Sequence, residues 1–304
     1  MEYVYDLMKY KNDRPCVVTI GKFDGLHRGH QLLINKIEEL AYELDLSSVV
    51  CAMDFSSYWE EKKIMPELLM TKEERREKLE SRVDYLVEAV FNKAFMKLSG
   101  EDFIEKVISE KLHARYVVVG EDFHFGYKKS GNIELLERLE DKYGYETIVI
   151  KKKCYEGKVI SSSRIKELIK AGDVEKANEL LGYHFAYEGE VIHGNAIGRT
   201  LGIPTVNILP QAFKILPIKG VYYAKVIVAN RSYQAVTNVG DKPTIDDKHN
   251  LVIESYLLDF NQDIYGKNVK VELHKFRRRE EKFSSLEEMK VAMQEDVEGT
   301  KEYF

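Results

Sequence analysis

The sequence has little that would tie it to a membrane, to an oxidising compartment or to nucleic acid. Its three cysteines, Cys16, Cys51 and Cys154, are widely spaced and form no CxxC or Cys/His cluster, which favours reduced thiols over disulfides or a zinc site. No apolar run reaches transmembrane length, and the N-terminus lacks the apolar core of a signal peptide. The net charge of −5 argues against a general nucleic-acid coat. We therefore expect a cytoplasmic protein without nucleic-acid or membrane partners.

Length and hydrophobic pattern predict two domains, since 304 residues exceed a typical single core. In the first part, short apolar segments alternate with charged segments of helical period, which predicts an α/β domain with a parallel sheet. The predicted strands are CVVTIG (16–21), SSVVCAM (47–53), YLVEAV (85–90), YVVVG (116–120) and TIVI (147–150). The helix after the first strand is expected to pack through Leu33, Ile37, Leu40, Ala41 and Leu44.

The second part changes to strands joined by turn-rich connectors, which predicts a small antiparallel barrel or sandwich. The predicted strands are 220–228, 233–240, 251–260 and 268–276. Before them, Asp173 caps a short helix that stops at Gly182. A final helix is expected to begin near Ser284, with Ser284 and Glu287 as a capping box. Its expected buried stripe is Leu286, Met289, Met293 and Val297. We place the domain boundary after residue 184, giving domains 1–184 and 185–304.

The most informative stretch is GKFDGLHRGH (21–30), which leaves a strand and enters a helix. Gly21, Gly25 and Gly29 let a ligand approach backbone N–H groups beside the positive end of the helix dipole, a geometry that attracts phosphate. His27 and His30 are three apart, so they share a face if the helix has begun by His27, and they could donate to phosphoryl oxygens as imidazole or imidazolium. A structural turn, or the start of a metal site without an evident third ligand, are the alternatives.

This stretch resembles the HxGH signature of the nucleotidylyltransferase superfamily. In its GxFDGxHxGH form it is similar to the bacterial bifunctional riboflavin kinase/FMN adenylyltransferase (FAD synthetase) family. The resemblance continues in VVVGEDFHFG (117–126), in ISSSRIKEL (160–168) and through the second half, so it covers nearly the whole chain. It implies a Rossmann-like nucleotidylyltransferase domain followed by a riboflavin kinase-like barrel with a terminal helix. It also implies ATP, riboflavin and FMN as substrates and Mg²⁺ as cofactor.

For the first domain, the resemblance implies that His27 and His30 contact ATP phosphates while the phosphate of FMN attacks the α-phosphorus. The implied nucleotide-binding residues are Gly21, Phe23, Asp24, Gly25, Gly29, Ser162, Ser163 and Lys166. The implied flavin-side residues are Asp122, Phe123 and Phe125. Taken alone, the serines could simply cap a helix and the aromatics could be core.

The first domain departs from the family pattern at two places. Ser163 and Lys166 replace a usual Thr and Arg, and the lysine loses the bidentate fork of the arginine. The segment AMDFSSYWEE (52–61) lacks the F-x-P-H-P motif that the family carries near the flavin. We expect any impairment of the protein to lie in this domain.

In the second domain, GEVIHGNAIGRTLGIPTVNI (189–208) suggests a phosphate-approach loop. Thr205 and Asn207, two apart on a strand, point to one face and offer hard oxygen ligands for Mg²⁺. Glu254 lies among apolar neighbours on its strand, which suits a general base, although a lysine-paired strand carboxylate is the ordinary alternative.

The resemblance to riboflavin kinases implies that Thr205 and Asn207 hold Mg–ATP and that Glu254 activates the ribityl 5′-hydroxyl. The implied nucleotide-binding residues of this domain are Gly194, Gly198 and Arg199. The implied flavin-binding residues are Gly220, Tyr222 and Arg278. The leading hypothesis is thus an enzyme that makes FMN and then FAD. Two alternatives remain open: a protein with a single working activity, and a non-catalytic flavin-binding regulator.

Overall fold

The structure is a computed structural model that describes residues 1–12, 14–193, 204–241 and 251–304. The chain forms two compact units, Met1–Ser162 and Ser163–Phe304. Gly194, Gly198 and Arg199, predicted to bind nucleotide, lie outside the described residues. Within the described part of the chain, no helix is long and apolar enough to cross a membrane.

The first unit is built on a six-stranded parallel sheet, and all five strands predicted for it are confirmed. The strands in chain order are β1 (Glu2–Tyr5), β2 (Cys16–Gly21), β3 (Ser47–Asp54), β4 (Tyr85–Val90), β5 (Ala114–Gly120) and β6 (Glu146–Ile150). Their order in the sheet is β1-β4-β3-β2-β5-β6. A hairpin of β7 (Cys154–Tyr155) and β8 (Lys158–Val159) follows. The edge strand β1 was not predicted, because its tyrosines and glutamate give no apolar run.

Helices connect these parallel strands. They are α1 (Arg28–Leu44), α2 (Ser56–Lys62), α3 (Lys72–Leu79), α4 (Gly100–Phe103), α5 (Ile133–Arg138) and α6 (Glu140–Tyr143), with a π-helical turn at Ile104–Ser109. Successive residues Val17 and Val18 are both fully buried, as expected for a sheet covered on both faces. The chain leaves β2 towards β3 on one side and later returns to β5 on the other. The carboxyl end of β2 is therefore a topological switch point, where α/β sheets bind ligands.

The second unit is an antiparallel sheet that curves round on itself. It comprises α7 (Ser162–Ala171, whose first residue belongs to the first unit), α8 (Val174–Leu181), β9 (Ala186–Glu190), β10 (Thr205–Ile208), β11 (Gly220–Val228), β12 (Arg231–Asp241), β13 (Leu251–Leu257), β14 (Asn268–Arg278) and α9 (Leu286–Tyr303). The strand order is β10-β13-β12-β11-β14-β9. Ile192 donates its backbone N–H to the Asn207 carbonyl at 2.8 Å, so the chain after β9 meets β10 and joins the two ends of the sheet.

Three local predictions were displaced. In α1 the buried residues are Ile34, Ile37 and Ala41, whereas Leu44 is 45% exposed. The cap of α9 is Ser285, which accepts from the Glu288 N–H, one residue later than predicted. The buried residues of α9 are Asp296 and Thr300, while Leu286 is 65% exposed. The other three residues of the predicted stripe, Met289, Met293 and Val297, are partly buried, so only Leu286 was wrong. Asp296 was missed, because it is buried in an ion pair with Arg278 that hydrophobicity cannot reveal. The domain boundary after 184 stays a prediction.

Candidate active sites

The first candidate site is built around His27, the N-cap of α1. The Nδ1 atom of His27 accepts the backbone N–H groups of Gly29 and His30, at 3.2 and 3.3 Å. An imidazole that accepts at Nδ1 carries its proton at Nε2. The ring thus satisfies two N–H groups of the helix start and keeps one donor for a ligand. Anions favour this end of a helix, where the dipole is positive.

The two histidines form one stacked pair, although His27 is the N-cap of α1 rather than a helical residue. The rings of His27 and His30 lie 3.7 Å apart, with 15° between their planes. Burial lowers the pKa of His27 to about 4, despite the opposing charge of Asp24. Burial, followed by the neighbouring His27 and Arg75, lowers the pKa of His30 well below its usual value. At neutral pH both rings are therefore neutral donors rather than cations, which decides between the two forms that the sequence left open.

The loop before α1 has a backbone that few residues adopt. Gly25 has φ 87°, and Phe23 and Leu26 also have positive φ values, 49° and 37°. The Asp24 carboxylate accepts the Leu69 N–H at 2.7 Å and so fixes the loop. Strain of this kind is concentrated at binding sites.

Of the other residues predicted for this site, the structure places Gly29 and Ser162 beside the loop. A Cβ on Gly29 would lie 3.1 Å from the His27 ring, so the glycine keeps space for that ring. Ser162 donates its hydroxyl to the Asp24 carbonyl at 2.8 Å, which places the start of α7 beside the loop. Ser163 and Lys166 follow in α7; their roles stay predictions.

The flavin-side residues follow β5, next to the switch point. Asp122 is exposed and pairs with Lys152 at 3.0 Å. Phe125 is 7% exposed and packs on Phe103 with ring centroids 5.1 Å apart. Phe123 is half-buried and stacks on Phe125 at 5.4 Å. Phe125 is thus a core residue that supports Phe123, which matches the structural alternative for that position.

The segment that lacks the family's prolines and histidine carries an aromatic group that the sequence did not reveal as a site. Phe55 follows β3 and contacts Phe91 at 4.6 Å and Trp59 at 6.0 Å between ring centroids. The Lys22 ammonium lies 4.7 Å from the Phe55 ring centroid. Because Lys22 directly follows β2, these half-buried rings lie next to the loop before α1. In the register of β2 with β3, Gly21 pairs with Ala52, so the segments that follow the two strands begin side by side. Assuming neighbouring parallel strands from the sequence could have placed Phe55 near Lys22.

The second candidate site lies on the strands β10, β13 and β12. Asn207 is the cross-strand partner of Glu254, and Glu254 is the partner of Asn238. The Thr205 hydroxyl donates to the Glu254 Oε1 atom at 2.5 Å. The structure therefore brings together the three residues that the sequence predicted for this site and adds Asn238, which was missed because β12 gave no motif.

Two cavities meet at this cluster. The larger, of about 350 Å³, is lined by Val191, Pro204, Thr205, Val206, Asn207, Leu257, Phe260, Asn261, Gln262, Asp263, Ile264 and Tyr265. The smaller, of about 260 Å³, is lined by Thr205, Val221, Val236, Asn238, Glu254, Tyr256, Arg278, Glu280, Glu281, Phe283, Met289, Met293 and Asp296. Thr205 lines both, and Glu254 lines the smaller. A group in one cavity can thus meet a group in the other at the Thr205–Glu254 pair.

The remaining predicted flavin residues differ in their surroundings. Arg278 lines the smaller cavity, and its guanidinium forms a forked pair with the Asp296 carboxylate, the shortest contact being 2.7 Å. Tyr222 is fully buried and donates to the Ile218 carbonyl. Gly220 has φ 150°, and a Cβ there would overlap the Arg278 carbonyl. The contacts of Tyr222 and Gly220 are those of packing residues; a flavin role for them stays a prediction.

Oxygen donors suited to a hard cation are present at the second site. Thr205 offers a hydroxyl, Asn207 an amide oxygen and Glu254 a carboxylate, which are ligand types that Mg²⁺ accepts. Among the described residues no group of three His, Cys, Asp or Glu side chains could hold a metal. A cation here would need further oxygen ligands, such as phosphates and water.

Fold and sites together define a two-part transferase that handles nucleotides, with a phosphate loop on a parallel sheet and a hydroxyl–carboxylate pair between two cavities. The FAD synthetase family model matches residues 9–164, and the riboflavin kinase family model matches residues 181–304. The chain belongs to the family of bifunctional riboflavin kinase/FMN adenylyltransferases.

Named relatives support this assignment over nearly the full length. The bifunctional riboflavin kinase/FMN adenylyltransferase of Haemophilus influenzae is 35% identical, over 95% of this chain and 94% of its own. That of Escherichia coli K12 is 32% identical, over 95% and 93%. Among solved structures, that of a macrolide-efflux protein from Streptococcus pneumoniae has a TM-score of 0.89 and 30% identity, covering 98% of each chain.

Proposed function

We propose that this chain phosphorylates riboflavin to FMN in its C-terminal domain and transfers the adenylyl group of ATP to FMN in its N-terminal domain. The observation that carries the first step is the Thr205–Glu254 hydrogen bond at the junction of two cavities. In this proposal ATP occupies the larger cavity and riboflavin the smaller. Glu254 accepts the proton of the ribityl 5′-hydroxyl as that oxygen attacks the γ-phosphorus, and the bond from the γ-phosphorus to the bridging oxygen breaks to release ADP.

Thr205 and Asn207 are the residues that would hold Mg²⁺ with the ATP phosphates. The ion would neutralise charge on the transferred phosphoryl group. Thr205 hydrogen-bonds to Glu254, so the same hydroxyl positions the base. Arg278, held by Asp296, would face the flavin from the far side of the smaller cavity.

In the N-terminal domain, His27 would donate from Nε2 to an oxygen of the ATP phosphates. Its Nδ1 is already occupied by the helix N–H groups, so the donor is fixed before the substrate binds. Such preorganised donors stabilise charge that develops in the transition state. His30, stacked on His27, keeps the ring in this orientation and offers a second donor.

The aromatic group of Phe55, Trp59 and Phe91 would take over the flavin contact that the missing F-x-P-H-P motif provides in the family. Its rings are half-buried and lie beside the loop of the phosphate site. Flat aromatic faces suit the flavin ring, because offset stacking of rings is favourable. The cytoplasmic location remains part of this proposal.

Product analysis tests the function directly. Purified full-length protein with riboflavin, ATP and Mg²⁺ is expected to yield FMN and then FAD on chromatography. Glu254→Gln should abolish FMN formation and leave FMN-to-FAD conversion intact, whereas His30→Ala should do the reverse. FMN without FAD would support a single working activity, and flavin binding without ATP consumption would support the regulator. Loss of both activities in either variant would contradict two separate sites.

A further inference from the structure

A single row of side chains crosses five strands of the barrel at the second site. Cross-strand pairing runs from Asn207 to Glu254, from Glu254 to Asn238, from Asn238 to Val221 and from Val221 to Arg278. Directly opposed residues on neighbouring strands project to the same face. Four of the five, all except Asn207, line the smaller cavity. In this row Asn238 lies between Glu254, the proposed base, and Val221.

The amide of Asn238 has one end occupied and one end open. Its Nδ2 donates to the Glu280 carboxylate at 3.2 Å. A carboxylate oxygen can only accept here, so the amide is oriented with Oδ1 on the other side. That Oδ1 is buried, and no described residue donates to it. A buried acceptor without a donor costs free energy unless a ligand or water satisfies it.

We propose that Asn238 recognises the polyol chain of the flavin substrate by accepting a hydrogen bond from a hydroxyl close to the reacting one. This inference rests on the proposed riboflavin kinase function of the same cavity. An Oδ1 atom accepts only, so the ligand must bring a donor, and the O–H groups of the ribityl chain supply it. Opposed side chains across neighbouring strands lie about 4.5–5.5 Å apart at Cβ, which a few carbon atoms of a polyol span.

The surroundings of Asn238 fix the direction of the substrate. On one side lies Glu254, the proposed base, and on the other Val221, followed by Arg278 with Phe283 near its guanidinium. A substrate with its terminal hydroxyl at Glu254 therefore passes its polyol over Asn238 and its ring over the apolar side chains. Glu280 holds the amide in this orientation, and Gly240 leaves the space that Glu280 occupies.

The test compares riboflavin with lumiflavin, which has the ring but no polyol. The KM for riboflavin and the inhibition constant of lumiflavin are both measured in the FMN-forming reaction of the full-length protein, which avoids interference from any flavin site in the other domain. Asn238→Ala should raise the KM for riboflavin about five- to tenfold, the loss of one hydrogen bond, and leave the lumiflavin constant unchanged. Gln234→Ala removes an amide from the same strand outside both cavities and should change neither constant.

The outcomes separate the polyol role from the alternatives. An equal rise in both constants would show that Asn238 only shapes the cavity, and an unchanged KM would show that the substrate does not donate to Oδ1; either overturns the inference. If Asn238→Ala yields no active kinase, Glu280→Gln, which loosens the amide, must still raise the riboflavin KM selectively. Wild-type protein that forms no FMN would instead overturn the proposed function, and the polyol role with it.

Discussion

His27 caps α1, and we propose that it also donates to the ATP phosphates, which leads to a prediction in which capping and catalysis can be separated. His27→Ala removes the acceptor for the Gly29 and His30 N–H groups and also the Nε2 donor. His27→Asn keeps a capping acceptor, because an asparagine side-chain oxygen is among the best N-caps, but it loses the imidazole Nε2 donor, and its own amide N–H groups lie closer to the backbone. Both variants therefore lack the imidazole ring, but only His27→Asn keeps a side-chain cap for α1.

The magnitudes follow from these contacts. Replacing a capping side chain by alanine costs about 0.5–2 kcal/mol of stability, so the alanine variant should be less stable than the asparagine variant by about that amount. Losing one donor to the transition state lowers the rate about 100- to 1,000-fold. FMN-to-FAD conversion should therefore fall by a similar factor in both variants.

The assay uses the chain's single tryptophan. Trp59 lies in α2 of the first unit, so its fluorescence during urea unfolding reports that unit alone. FAD formation is followed by chromatography, with FMN formation from riboflavin as the internal control, which should be unchanged. Wild-type rates in His27→Asn would refute the donor role. Equal urea midpoints for the two variants would refute the cap.

Three further predictions concern other groups. Phe55→Ala should raise the KM for FMN in the adenylylation reaction by about tenfold, the contribution of a ring–ring contact, with kcat little changed; an unaffected KM would place the flavin elsewhere. Asp296→Asn removes the charge that holds Arg278. It should raise the KM for riboflavin and leave FAD formation from FMN unchanged. A lower kcat for FMN formation with an unchanged KM would contradict a positioning role. The stability of the first unit should fall as the pH drops from about 6.5 towards 4, since the folded pKa of His27 is about 4 and the unfolded ring, with the higher pKa, binds the proton first. The contribution of His27 to this loss is about 3 kcal/mol, and His30, whose pKa is also lowered by burial, adds to it. The urea midpoint of His27→Asn, followed through Trp59, should therefore depend less on pH over this window.

The strands were predictable where burial on both sides of the sheet leaves a nearly continuous apolar run. Residues 16–21 and 85–90 match the predicted strands residue by residue. Short apolar segments rich in valine are favourable in a strand that is buried on both faces of a sheet. The start of α9 was displaced by one residue, since Ser284 and Ser285 are chemically equivalent as caps. In the structure Ser285 is the cap, and the Glu288 carboxylate accepts the Ser284 N–H.

The candidate site residues were predictable where they lie in a local sequence pattern. His27, His30, Thr205 and Asn207 were predicted because each lies in a short pattern with a chemical meaning, and Glu254 was predicted from its apolar strand neighbours. Asn238 and Asp296 were not predicted, since their proposed roles depend on cross-strand register and on a distant ion pair. The charge state of the histidines also depends on burial, which no spacing reveals.

The departures from the family pattern in the first domain bear on the flavin more than on the phosphate chemistry. His27 accepts two backbone N–H groups at the start of α1, and Ser162 donates its hydroxyl to the loop before that helix. What has changed is the segment after β3, where rings replace prolines and a histidine, and these rings lie next to Lys22. A domain that had lost its activity would have no need to keep a strained loop and two buried neutral imidazoles, which cost stability at acid pH. The ordered histidine pair at the proposed phosphate site, together with the replaced aromatic segment, therefore argues for an adenylyltransferase with an altered flavin contact rather than for an inactive one.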